Sequence, residues 1–167
     1  MSVISLRELS RQVGESLLHR DWTVGIGESC TGGLVSKLLT DVPGSSQYLK
    51  GGVVAYANEA KIQLLSVDEA SITAHGAVSE KVAAEMAVGA AGAFGADVGL
   101  AIIGISGPTG ASPGRPLGTV WFALSIPGEV IREVARFPGD REAVRESAAG
   151  YALRLLLQVA SKGETDK

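Results

Sequence analysis

The sequence predicts an α/β fold: three layers, with helices on both faces of a mixed, mostly parallel sheet that ends in a C-terminal antiparallel hairpin. Three observations predict it. Short apolar runs, Trp22 to Gly27 and Val98 to Ile105, read as buried strands and alternate with segments of helical period. A Gly-rich turn, Gly27 to Gly33, joins the first of these strands to a helix. Two β-rich runs, Thr119 to Ile126 and Val130 to Phe137, flank Pro127-Gly128 and read as a hairpin.

The elements follow in order. Ser5 to Glu8 is a capping box, and Leu6, Leu9, Val13 and Leu17 carry a first helix to about His19. After the Gly-rich turn, Leu34, Val35, Leu38 and Leu39 open a second helix with Thr31 as its expected N-cap. Val42 to Ser46 is a loop. Tyr48 to Tyr56 is a strand interrupted by Gly51-Gly52. Asn58 to Leu65 and Asp68 to His75 are short helices, the latter ended by Gly76. Ser79 caps an Ala-rich helix that stops near Gly95, and Ser106 to Pro116 is a Gly/Pro-rich loop. Asp140 caps a last helix with Val144, Ala148, Tyr151, Leu155 and Val159 on its apolar face. Ser161 to Lys167 is a polar tail expected to fray. With 167 residues and no linker or repeat, residues 1–167 form one domain.

Composition excludes several functions. The net charge of −3 does not suit a nucleic-acid surface. One Cys and two His rule out a disulfide scaffold and a Cys/His zinc cage, and no carboxylate cluster has metal-site spacing, so neither metal nor cofactor is expected. The N-terminus lacks a signal-peptide pattern, and the apolar stretch near Met86 is cut by Glu85 and Asp97, short of the roughly 18 residues a membrane span needs. A cytoplasmic location is the expectation. The 22 glycines against 5% aromatics require a core of small and aliphatic side chains with close backbone approaches.

Familiar motifs fail. Gly27-x-x-x-x-Gly32 is followed by Gly33 and Leu34 where a phosphate-binding P-loop needs Lys and a hydroxyl. Gly25-x-Gly27-x-x-Cys30 is not a dinucleotide fingerprint, and no G-x-S-x-G elbow occurs. His19 and His75 read as helix-end residues rather than bases.

Four constellations remain. Glu28-Ser29-Cys30-Thr31-Gly32-Gly33 puts two hydroxyls, a thiol and two glycines at a strand-to-helix turn, where free N–H groups favour an oxyanion. Either Ser29 or Cys30 could be its nucleophile. In Tyr56-Ala-Asn-Glu-Ala-Lys61 the helix dipole would lower the pKa of Lys61, making it a candidate base with Tyr56 as relay; a solvated lysine is the plainer reading. Arg141 and Arg145, four apart on one helix face, form either an anion clamp or an ion-pair face with Glu142 and Glu146. Gly104, Ser106 and Gly107 follow a buried strand and would wall the same pocket.

These pieces, in this order, resemble the C-terminal domain of the competence-damage-inducible protein A (CinA) family, which includes stand-alone nicotinamide mononucleotide deamidases. Gly51 to Lys61, Gly76 to Ser79, Gly104 to Pro108, Gly118 to Val120 and Asp140-Arg141 carry the resemblance with the Glu28–Gly33 block. It implies hydrolysis of the carboxamide of nicotinamide mononucleotide to nicotinate mononucleotide and ammonia. It further implies Ser29 as nucleophile, Lys61 as its base, Tyr56 close by, and Arg141 or Arg145 on the substrate phosphate. Cys30, Thr31, Gly32, Gly33, Gly104, Ser106 and Gly107 would shape the substrate site. A homodimer or larger homo-oligomer, a nucleotide substrate, no nucleic acid and no membrane are the partners implied. Ala111 and Arg115 stand where the family often has Gly and Lys. The competing reading is a nucleotide- or partner-binding module of the same fold without catalysis.

Overall fold

Residues 4–162 are described by a computed structural model, in which one five-stranded sheet separates two layers of helices. The strands are β1 (Val24–Glu28), β2 (Leu49–Val54), β3 (Val98–Gly104), β4 (Thr119–Ile126) and β5 (Glu129–Arg136). The helices are α1 (Leu6–His19), α2 (Leu34–Thr40), α3 (Asn58–Leu65), α4 (Glu69–His75), α5 (Glu80–Phe94) and α6 (Arg141–Ser161). The sheet order is β2-β1-β3-β4-β5. β2, β1 and β3 run parallel, and β4 and β5 continue the sheet antiparallel. The hairpin turn is Pro127-Gly128, with Ile126 opposite Glu129.

Side-chain alternation along the strands builds two cores. Val98, Leu100 and Ile102 of β3, with Val120, Phe122 and Leu124 of β4, pack under α1, α2 and α6. Ala101, Ile103 and Ala123 face the other way, toward α5 and its Val82, Ala83, Met86, Ala87 and Ala90. Large aliphatics therefore fill one face, while small residues let α5 lie close to the other. The same constraint explains Gly51 and Gly52, which pair with Gly25 and Ile26 within β2, just after a shift of register between Leu49 and Gly51. A Cβ at 51 would overlap the Phe94 ring, and one at 52 the Ser36 hydroxyl.

The start of α2 differs from expectation. Gly33, with φ of 99°, occupies the N-cap position and offers no side chain, so Thr31 is not the cap. Glu28, at the end of β1 and fully buried, takes that role from outside the helix. Its Oε1 accepts from the Thr31 hydroxyl (2.7 Å) and the Val35 N–H (2.8 Å). Its Oε2 accepts from the Ser36 N–H (3.1 Å) and the Ser36 hydroxyl (2.8 Å). A buried carboxylate is tolerable only when its lone pairs are occupied in this way, and the α2 dipole favours negative charge there. At the other end of the chain, Ser161 closes α6 instead of opening a tail; residues 163–167 lie outside the described residues.

Glu28→Gln keeps the shape but turns one acceptor into an N–H₂ facing donors. We expect a loss of about 1–3 kcal/mol for each group left unsatisfied, read from urea unfolding. On α5, a Cβ at Gly89 would overlap the Leu65 carbonyl, whereas nothing lies within 4 Å of one at Gly92. Gly89→Ala is therefore expected to destabilise by at least about 1–3 kcal/mol. Gly92→Ala is expected to stabilise by about 0.5–1 kcal/mol.

Candidate active site

Three parallel strands deliver three loops to one edge of the sheet, the position where α/β proteins gather functional groups. The Ser29 N–H donates to the Ile102 carbonyl (2.9 Å), and the Ala55 N–H donates to the Glu28 carbonyl (2.8 Å). The β ladders thus continue to the residues around Ser29 and fix its backbone from both sides. Ala55 and Tyr56 follow β2, and after them comes α3 with Lys61.

A cavity of about 220 Å³ opens among these loops. Of the residues singled out from the sequence, Ser29, Cys30, Tyr56, Lys61, Gly104 and Ser106 line it. Asn58, Ala77, Val78 and Ile103 complete its walls; the first three lie in segments that carry the resemblance, but none was singled out as a site residue. Thr31, Gly32, Gly33 and Arg145 line a separate cavity of about 360 Å³ with Lys37, Glu142 and Glu146. Gly107 and Arg141 line neither of the two.

Lys61 is 2% exposed, and its Nζ donates to the main-chain carbonyl of Tyr56 (2.9 Å). Burial pushes its pKa below the ordinary lysine value; Cys30 and Glu59 act in the opposite direction. The shift has the expected sign but a different origin, burial instead of the helix dipole. The solvated-lysine reading is excluded by the same burial. Ser29 is 7% exposed beside it in the cavity. The neighbouring Cys30 belongs to the large hydrophobic core, and burial pushes its thiol up to about 12. Glu28 adds to that rise, while Arg145 and Arg141 oppose it. A thiol so protected carries almost no thiolate near neutrality.

The Tyr56 side chain is 59% exposed, and its phenol oxygen accepts from Arg141 Nη2 (3.0 Å). Arg141 Nη1 donates to the Gly107 carbonyl (2.8 Å). Arg145 grips the loop after β1: Nε donates to the Cys30 carbonyl (3.0 Å) and Nη2 to the Thr31 carbonyl (3.3 Å). Both guanidiniums are thus engaged with the loops, not with Glu142 and Glu146.

Arg115 is a residue whose part the sequence did not reveal. Its Nε donates to the Val78 carbonyl (2.8 Å) and its Nη2 to the His75 carbonyl. It ties the loop after β3 to the turn that supplies Ala77 and Val78. His75 and His19 end α4 and α1, as helix-end residues should. Among the described residues, no cluster of His, Cys, Asp and Glu could hold a metal ion, and no helix is long and apolar enough to cross a membrane.

Comparison with known proteins agrees with this architecture. The chain is 50% identical over 159 residues to the nicotinamide-nucleotide amidohydrolase PncC of Escherichia coli (strain K12), covering 95% of this chain and 96% of that protein. It is 51% identical over 139 residues to a CinA-like protein of Mycobacterium tuberculosis (strain ATCC 25177 / H37Ra), covering 83% of this chain but 32% of that protein. The crystal structure of a CinA-superfamily protein from Klebsiella pneumoniae 700603 superposes with a TM-score of 0.91 at 36% identity, covering 95% of this chain and 99% of the other. A CinA-superfamily structure from Escherichia coli gives the same TM-score at 38% identity, covering 95% and 94%. The CinA C-terminal domain matches residues 6–160, and the chain belongs to that family.

Proposed function

We propose that this protein hydrolyses the carboxamide of nicotinamide mononucleotide, releasing nicotinate mononucleotide and ammonia, with Ser29 as nucleophile and Lys61 as base. The observation that carries this reading is the meeting of Ser29 with a buried, pKa-depressed Lys61 in one small cavity. The amidohydrolase names of relatives that align along almost the whole chain supply the substrate class.

Small-molecule pockets usually measure about 300–1,000 Å³, so a cavity of about 220 Å³ suits the ring and its amide rather than a whole nucleotide. Gly104, Ile103, Ala77 and Val78 offer flat, narrow walls to the ring. The neutral Lys61 amine takes the Ser29 proton as Oγ adds to the amide carbon. The oxyanion needs nearby donors. The Gly32 N–H is spent on the Ser29 carbonyl (3.0 Å), which removes it from the donors expected at Thr31 to Gly33. The Cys30 and Thr31 N–H groups and Ser106 take that part in this reading. Collapse of the tetrahedral adduct breaks the C–N bond, and the nitrogen leaves as ammonia after gaining the proton that Lys61 took from Ser29, directly or relayed through Tyr56, which leaves Lys61 neutral again. Water, deprotonated by Lys61, then adds to the acyl-serine and frees Ser29. The ribose phosphate projects toward Arg141, and Arg145, with Thr31, Gly32 and Gly33, keeps the Ser29 loop in place.

Ser29→Ala is expected to lower ammonia release from nicotinamide mononucleotide by at least about 10³-fold, and Lys61→Met by about 10²–10⁴-fold. Cys30→Ala should stay within about tenfold of wild type. Undiminished turnover in Ser29→Ala, or loss confined to Cys30→Ala, would overturn the assignment; tight nucleotide binding without turnover in the wild type would favour a binding module.

The depressed Lys61 pKa also fixes two pH trends. Activity rises with pH through the folded-state pKa of Lys61, and its plateau arrives below the ordinary lysine value of 10.5. Between those two pKa values the unfolded chain holds a proton that the folded chain lacks, so folding stability increases with pH across that window. Lys61→Met should flatten this slope in urea titrations run at several pH values.

A further inference from the structure

Tyr56 is held at two points that serve different ends of the site. Its main-chain carbonyl accepts from Lys61 Nζ (2.9 Å), and its phenol oxygen accepts from Arg141 Nη2 (3.0 Å). Arg141 is in turn fixed to the loop after β3 through the Gly107 carbonyl (2.8 Å). A single guanidinium at the first residue of α6 therefore joins the β2–α3 connection to the β3 loop.

The connection matters because the Tyr56 side chain is mostly exposed while Lys61, five residues on, is buried. Packing alone does not fix an exposed phenol, whose immobilisation costs side-chain entropy. The planar guanidinium offers a rigid fork, so two bonds set the position of both partners. Because the phenol oxygen accepts from Arg141, the phenol hydrogen is left for donation elsewhere. Fixing the phenol also restrains the peptide whose carbonyl aims Lys61.

We propose that Arg141 is a positioning residue for the chemical step: through Tyr56 it orients the phenol as a proton donor and holds the main chain that aims Lys61 at Ser29. This rests on the assignment of Ser29 and Lys61 above and goes beyond the binding of phosphate by Arg141. A residue that only held phosphate would act on affinity for phosphorylated substrates. A positioning residue acts on turnover even when the substrate has no phosphate.

The test uses nicotinamide riboside, which keeps the carboxamide and lacks the phosphate, beside nicotinamide mononucleotide. Arg141→Met and Tyr56→Phe are each expected to lower kcat by about 10²-fold on both substrates, the scale of a misplaced catalytic group. The double variant should be little worse than either single one, and Arg141→Lys should recover part of the loss. An Arg141→Met that raises KM for the mononucleotide alone, with kcat unchanged, would overturn the proposal, as would additive losses in the double variant. A second measurement is independent of turnover: the NMR signal of the Lys61 Cε. It should move in the same direction in Arg141→Met and Tyr56→Phe, and an unmoved signal in Arg141→Met would overturn the proposal. A wild type that releases no ammonia from either compound, with the Lys61 signal still responding to Arg141→Met, would locate the failure in the assigned reaction and not in the linkage.

Discussion

The buried carboxylate of Glu28 is the constraint on which the site depends. It ends β1, caps a helix that has no cap of its own, and engages both the Thr31 hydroxyl and Ser36. Between those anchors the chain must pass through Ser29, Cys30, Gly32 and Gly33 in a very short path, with Gly32 and Gly33 at positive φ. Arg145 closes the same loop from the opposite side by gripping two of its carbonyls. The nucleophile candidate thus stands on backbone held from within by a carboxylate and from without by a guanidinium. Neither group needs to touch a substrate for the loop to keep its shape.

A second constraint is the small-residue seam between α5 and the sheet. Gly25, Gly27 and Gly99 on the strands leave room for the backbone of α5 and the side chains packed beside it. Close approach of α5 carries α3 with it, since Gly89 lies directly beneath the Leu65 carbonyl. Gly27 meets the Leu65 side chain as well, so α3, the helix that carries the buried Lys61, rests on both α5 and the sheet. The glycine excess and the scarcity of aromatic residues are in this sense one property of the packing.

Much of this was legible in the sequence. Capping residues and apolar periodicity located the helices: Ser5, Ser79 and Asp140 serve as side-chain caps, and Asp68, read as the first residue of its helix, is also a cap. The ESCTGG block and the Tyr56 to Lys61 segment marked residues that share a cavity. What stayed hidden depends on distance along the chain. Thr31 looked like an N-cap because Glu28 is an unusual one, reaching forward from a strand. Gly51-Gly52 looked like a break because the Phe94 ring that fills the space lies more than forty residues later. Arg141 and Arg145 looked like a matched pair from their spacing, yet each serves a different loop. Arg115 gave no local signal at all, since its partners are the carbonyls of another turn.

Cys30, the chain's one cysteine, adjoins the proposed nucleophile and lines the same cavity, yet it is 5% exposed and burial keeps it a thiol. A hydrolase arranged in this way separates its chemistry from the thiol state of its surroundings. Peroxide and disulfide reagents act on thiolates, and the side chain proposed for acyl transfer is an alcohol that they leave alone. Redox tolerance would then be a by-product of packing, obtained without excluding cysteine from the loop.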